Sequence, residues 1–105
     1  MAQYSIYQNI NPVSKKSYPY LIDVQSTLLS SLDTRLVIPV ITKKNYQSEI
    51  IKNLNPVIIV KNKEYVVITQ QMAAIKNQSI GPCVCDCLSK RQEILASIDF
   101  LITGI

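Results

Sequence analysis

Cys83, Cys85 and Cys87, spaced two apart, are the residues whose type and spacing come nearest to a chemical motif. On a strand their side chains would share one face. Thiolates can hold a soft metal or exchange disulfides. A tetrahedral metal site, however, usually takes four converging ligands, and this sequence contains no His. Cysteines two apart in a reducing compartment are also poor disulfide partners. The three therefore read as small apolar fillers in a tight turn before a helix, with no metal or redox role.

Other chemistry is thinly supplied. Without His, general acid–base work would fall on seven carboxylates, the tyrosines or shifted lysines. No G-x-S-x-G frame is present. Gly81 and Gly104 are the only glycines, too few for a phosphate-cradling loop. A binding protein without catalytic residues, cofactor or metal is the expectation. The net charge of +4 includes the pairs Lys15-Lys16 and Lys43-Lys44. Basic residues do not alternate with aromatics as they do in nucleic-acid binders, so direct nucleic-acid binding is a weak inference and an acidic protein partner is as good an explanation of the charge.

The stretch that organises the chain is residues 89–105, which read as one helix. Ser89 and Gln92 fit a capping box, and Glu93 suits the positive end of the helix dipole. Gly104 suits a left-handed stop, with Ile105 placed to pack on Phe100. Ile94, Leu95, Ile98, Leu101 and Ile102 recur at helical spacing. Ala96, Phe100 and Thr103 lie on another side, so the last turns are apolar nearly all round. One side is expected on the chain's own sheet and another on a second molecule.

Upstream, residues 4–7 read as a short strand and 8–16 as a basic hairpin loop. Residues 18–24 form the second strand. Residues 26–34 are turn-like, and Leu28 and Leu29 could fold back on the core or stand out as a binding patch. Residues 35–41 are a continuous apolar strand buried on both faces, in which Pro39 needs an edge, a bulge or a break. Residues 42–55 fit either helical spacing or a long loop. Runs 57–60 and 65–69 make a hairpin around residues 61–64. Residues 70–78 are polar, and a short strand at Ser79-Ile80 is broken by Gly81-Pro82. Strands followed by a helix, without βαβ alternation, indicate an α+β, mainly β fold: a small antiparallel barrel with a helix packed on it. The 105 residues suit a single domain spanning 1–105. No signal-peptide pattern or membrane-spanning run is apparent, so a cytoplasmic location is expected.

Asp23-Val24-Gln25-Ser26, Arg35-Leu36-Val37-Ile38-Pro39, Thr69-Gln70-Gln71-Met72-Ala73, Leu88-Ser89-x-Arg91 and the closing Gly104-Ile105 resemble, in that order, the CcdB family of toxins. The resemblance covers essentially the whole chain and implies an SH3-like barrel subunit in a homodimer. It also implies a poison that binds the DNA gyrase A subunit and traps the enzyme on cleaved DNA. A CcdA-like antitoxin with a disordered acidic segment would neutralise it. By position, gyrase contacts fall on Leu28, Leu29, Asp99, Ile102, Thr103, Gly104 and Ile105. A well-studied member carries Asn, an aromatic and Trp where this chain has Asp99, Ile102 and Thr103. Candidate antitoxin contacts are Asn11, Lys15, Lys16, Lys43 and Lys44. Two other functions stand beside this one. The first is an endoribonuclease toxin of the MazF or Kid type, with Arg35 or Arg91 stabilising a phosphorane. The second is a relative that binds antitoxin but no longer poisons gyrase.

Overall fold

A computed structural model describes residues 2–104. The strands are β1 (Ser5–Asn9), β2 (Tyr20–Asp23), β3 (Thr34–Thr42), β4 (Val57–Val60), β5 (Lys63–Val67), β6 (Ala73–Lys76) and β7 (Ile80–Asp86). Among the described residues one α-helix, α1 (Arg91–Thr103), follows the strands. The sheet is antiparallel, in the order β4-β5-β3-β2-β1-β7, with β6 added to β3. It curls into an open half-barrel whose interior is filled by Ile6, Ile22, Ile38, Val40, Ile58, Val60 and Val67, with Ile94 of α1 among them. This is the α+β, mainly β arrangement expected from strands followed by a helix.

β3 is the long central strand, and Val37 to Val40 are buried on both faces as its continuous hydrophobicity requires. β2 lies along one side of it. On the other side β6 pairs with Thr34 to Val37, and β5 takes over from Val40 to Thr42. Pro39 sits at this change of partner, where its missing N–H leaves no gap in either ladder. Its carbonyl still accepts from the N–H of Ile68 at 3.0 Å.

Several local expectations need correction. Residues 42–55 form turns and irregular chain, not a helix. The loop is pinned by buried Asn55, whose Nδ2 donates to the carbonyl of Val67 at 3.0 Å while its Oδ1 accepts from Ile51. The β4–β5 hairpin is tighter than expected. Lys61 (φ 51°) and Asn62 (φ 66°) turn the chain alone, the double positive φ of a type I′ turn. The polar stretch after Gln71 contains a strand, β6.

Gly81-Pro82 does not break the last strand; β7 runs through it. A Cβ on Gly81 would lie 2.7 Å from Ile10 Cγ2, so glycine permits the close approach of β7 to β1. Pro82 is tolerated because β7 is an edge strand. No capping box forms at Ser89 and Gln92. A 3₁₀ turn (Leu88–Lys90) runs directly into α1, and Asp86 Oδ1 accepts from the N–H of Leu88 at 3.1 Å.

The apolar stripe of α1 also divides. Ile94 is fully buried, but its partner on the inward face is Ser97, whereas Leu95, Leu101 and Ile102 are exposed. Ser97 Oγ donates to the carbonyl of Ile94 at 2.7 Å and accepts from buried Thr69 Oγ1 at 3.0 Å. These two hydroxyls are satisfied by each other and by the helix, so both can be buried without loss. The Gly104 stop is as expected: φ is +74° and its N–H donates to the carbonyl of Phe100 at 2.8 Å. The Ile105–Phe100 contact lies outside the described residues.

Candidate functional site

The leucine pair stands out from the surface. After β2 the chain makes a short 3₁₀ turn (Thr27–Leu29), opened by Ser26 Oγ accepting from the N–H of Leu28. Leu28 is 91% exposed, and Leu29 and Leu32 flank it, also exposed. Of the two readings, a fold back on the core is thus excluded. Leu28, Leu29 and Leu32 place three exposed apolar side chains on one short stretch of chain.

The end of α1 is a second projection. Ile102 is 71% exposed, Leu95 and Leu101 are exposed, and Phe100 is half-buried. Asp99, Thr103 and Gly104 are exposed beside them. Thr103 Oγ1 donates to the carbonyl of Asp99 at 2.7 Å, which ties its side chain to the helix. Leu28 and Ile102 lie on different elements, the turn after β2 and the end of α1. Ile105 falls outside the described residues.

Beneath the leucine loop lies a polar network that the spacing of residue types did not reveal. Asp23 and Arg35 are both fully buried, and Asp23 Oδ2 accepts from Arg35 Nη2 at 2.6 Å and Nε at 3.0 Å. Asp23 Oδ1 accepts from the N–H of Gln25 at 3.0 Å, and Arg35 Nη2 also donates to the carbonyl of Gln25. Side chains of opposite charge twelve residues apart on neighbouring strands were the available signal. It was hidden because each charge lay in a run otherwise read as strand.

The network also disposes of one catalytic option. Arg35 is 1% exposed and committed to Asp23, so it cannot reach a scissile phosphate. Arg91 is exposed, with its guanidinium 5.8 Å from the centre of the Tyr4 ring, a cation–π contact that leaves it at the surface.

The basic candidates fall into two places. Lys15 and Lys16 are exposed in the β1–β2 loop, where Asn11 caps the turn by accepting from the N–H of Val13 at 2.9 Å. Lys43 and Lys44 line a separate cleft of about 680 Å³ together with Thr42, Asn45, Lys63 and Glu64. Lys63 is a lysine that sequence reasoning did not include, brought there by the β3–β5 pairing. The one carboxylate in the cleft, Glu64, lies 3.8 Å from Lys43, an exposed pair of little strength.

The cysteines do not share a face. Cys83 and Cys85 are exposed on β7, whereas Cys87 lies beyond the strand and is buried in the core. Irregular pairing of β7 with β1, which shifts register between Ile6 and Tyr7, breaks the simple alternation. Among the described residues no group of His, Cys, Asp and Glu is placed to hold a metal ion. Burial first, then neighbouring Cys85 and Asp86, push the Cys87 thiol up to about 11 from 9. In native protein a maleimide should therefore label two thiols quickly and Cys87 only on unfolding. The raised value also predicts an alkaline loss of stability. Below pH 9 the thiol is neutral in both states and the stability is intact. Between 9 and 11 the unfolded chain ionises first, so stability falls by of order 1 kcal/mol after allowance for screening. Urea titrations of wild type and Cys87→Ala at pH 8 and pH 10.5 should differ in slope with pH; identical slopes would show that Cys87 does not titrate in this way.

Among the described residues no helix is long and apolar enough to cross a membrane. A protein-family model described as CcdB protein matches residues 3–104, nearly the whole chain.

Proposed function

This chain belongs to the CcdB family, toxins of toxin–antitoxin pairs, and from that premise we propose that it binds the DNA gyrase A subunit and traps the gyrase–cleaved-DNA complex. The observation that carries the proposal is the exposure of Leu28, on the turn after β2, and of Ile102, near the end of α1. A homodimer, formed around the apolar sides of α1, brings two copies of each projection into one surface. Sedimentation at micromolar concentration checks the dimer. Leu28, Leu29, Asp99, Ile102, Thr103, Gly104 and Ile105 supply the gyrase contacts. They act by packing and hydrogen bonding, with no bond made or broken by the toxin itself. Burial of Arg35 counts against the endoribonuclease reading.

Induction in cells carrying sensitive or resistant gyrase A alleles tests the reading. Growth arrest is expected only with the sensitive allele. Arrest with both alleles would point to another target. Absence of arrest, with antitoxin binding kept, would mark a relative that no longer poisons gyrase.

Antitoxin recognition is assigned to the basic surfaces around Asn11, Lys15 and Lys16 and around Lys43 and Lys44. A disordered acidic segment folding onto them is steered by charge. Its association rate is expected to fall several-fold between 50 and 300 mM salt, because exposed lysines are screened within a Debye length of roughly 10 Å. Stopped-flow mixing measures this, and a rate independent of salt would remove charge steering from the account.

A further inference from the structure

We propose that Gln25 is a positioning residue that holds the leucine loop in its projecting conformation, so that target recognition depends on a side chain that never touches the target. The inference rests on the gyrase reading and adds to it the device that presents the loop.

Gln25 stands where the chain leaves β2, and each of its polar groups is engaged. Its N–H donates to Asp23 Oδ1 at 3.0 Å, and its carbonyl accepts from Arg35 Nη2 at 3.3 Å. Its side chain then spans two segments. Oε1 accepts from the N–H of Leu36 on β3 at 3.0 Å, and Nε2 donates to the carbonyl of Leu29 in the loop at 3.2 Å. One amide thus ties the loop bearing Leu28 and Leu29 to the central strand. The backbone on either side of Gln25 is fixed by the buried ion pair.

The loop has little else to hold it. None of the residues in its 3₁₀ turn is buried. The other bonds of the turn are local, from Leu28 to Ser26 Oγ, from Leu29 to the carbonyl of Ser26, from Ser30 to the carbonyl of Thr27 and from the N–H of Leu32 to the same Leu29 carbonyl that Gln25 holds. They shape the turn but do not aim it. At the far end, Asn77 Nδ2 donates to the carbonyl of Leu32 at 3.2 Å. Exposed loops with few buried contacts open at low free energy, so a single bridging amide can decide their conformation.

The bond pattern separates positioning from general stability. A glutamate at this position can still accept from Leu36 but cannot donate to Leu29. A methionine keeps the length and loses both bonds. The experiment compares wild type, Gln25→Glu and Gln25→Met by amide hydrogen exchange and by affinity for a purified gyrase A fragment. Exchange at Leu36 is expected to stay slow in Gln25→Glu and to quicken at least tenfold in Gln25→Met. The amides of Leu28 and Leu29 are expected to quicken in both variants, and the affinity to fall about tenfold in both. The Gln25→Glu variant is decisive, because it loosens the loop while β3 stays protected. Loop exchange unchanged in both variants, or full affinity with a loosened loop, would overturn the proposal. Should wild type itself fail to bind the fragment, the gyrase reading fails, and the exchange data still decide whether Gln25 holds the loop.

Discussion

Replacing Arg35 with methionine is expected to lower the stability of the folded protein by about 3–5 kcal/mol, more than any surface substitution can. The guanidinium and the Asp23 carboxylate are 1% and 0% exposed, 2.6 Å apart. Removing the cation leaves a carboxylate buried with only the Gln25 N–H as remaining partner among its described bonds. An unpaired buried charge is penalised far more than an exposed one. Against a total stability of roughly 5–15 kcal/mol for a domain of this kind, the loss is a large fraction of the whole. Asp23→Leu strands the guanidinium instead and should cost about as much. The pair Asp23→Leu with Arg35→Met should recover much of the loss, because two apolar side chains carry no desolvation penalty. Urea unfolding of the four proteins forms a double-mutant cycle. A loss below 1 kcal/mol for Arg35→Met would mean that water or another group reaches the site.

The second large effect is on recognition, with the fold kept. Deleting Gly104 and Ile105, or changing Gly104 to valine, is expected to abolish gyrase poisoning in a protein that still folds. The inward face of α1 is secured by Ile94, Ser97 and half-buried Ile98, all upstream of the tip. A Cβ at Gly104 meets no atom within 4 Å, so no clash arises there. The strain comes from φ +74°, a left-handed conformation that costs a β-branched residue about 1–2 kcal/mol. That is tolerable for folding, but it redirects the residue that follows. Loss of a central anchor from a contact built on one tip costs about 2 kcal/mol or more, roughly thirtyfold in affinity. Leu28→Asp should produce a loss of the same order from the other projection, since a side chain 91% exposed contributes almost nothing to the core. Growth arrest, circular dichroism and gyrase pull-down on each variant measure this. A truncated protein that still kills through gyrase would show that the tip is not the recognition element, as would a loss of fold together with toxicity.

What the sequence determined by itself was local. The continuous run Leu36 to Ile41 pointed to a strand buried on both faces, and Val37 to Val40 are buried in that way. The β-branched runs around Lys61 could only be a hairpin. Gly104 could end a helix where no other residue does so without strain, and the helix ends there. In each case the deciding energy lies within a few residues: backbone propensity, turn geometry or a left-handed φ. Leu28 and Leu29 were legible as a pair, but whether they faced inward was not. That depended on whether the barrel had room for them, and the interior is filled by other side chains.

The tertiary structure decided the rest. β6 is a strand because the first half of β3 offers it an unpaired edge, not because Ala73 to Lys76 favour extended chain. β7 continues through Gly81-Pro82 because it lies at an edge, where a missing N–H is harmless. Ser97 and Thr69 are buried because each satisfies the other's hydroxyl across 28 residues of sequence. Asp23 and Arg35 are buried for the same reason, as a pair that neither strand announces alone. Polar groups enter a core only when a partner meets them there, and the partner is supplied by non-local strand pairing. That is why the leucine pair and the apolar helix end were legible in the sequence, while only the folded chain showed that the leucines face outward and that a buried ion pair and the bonds of Gln25 lie beside them.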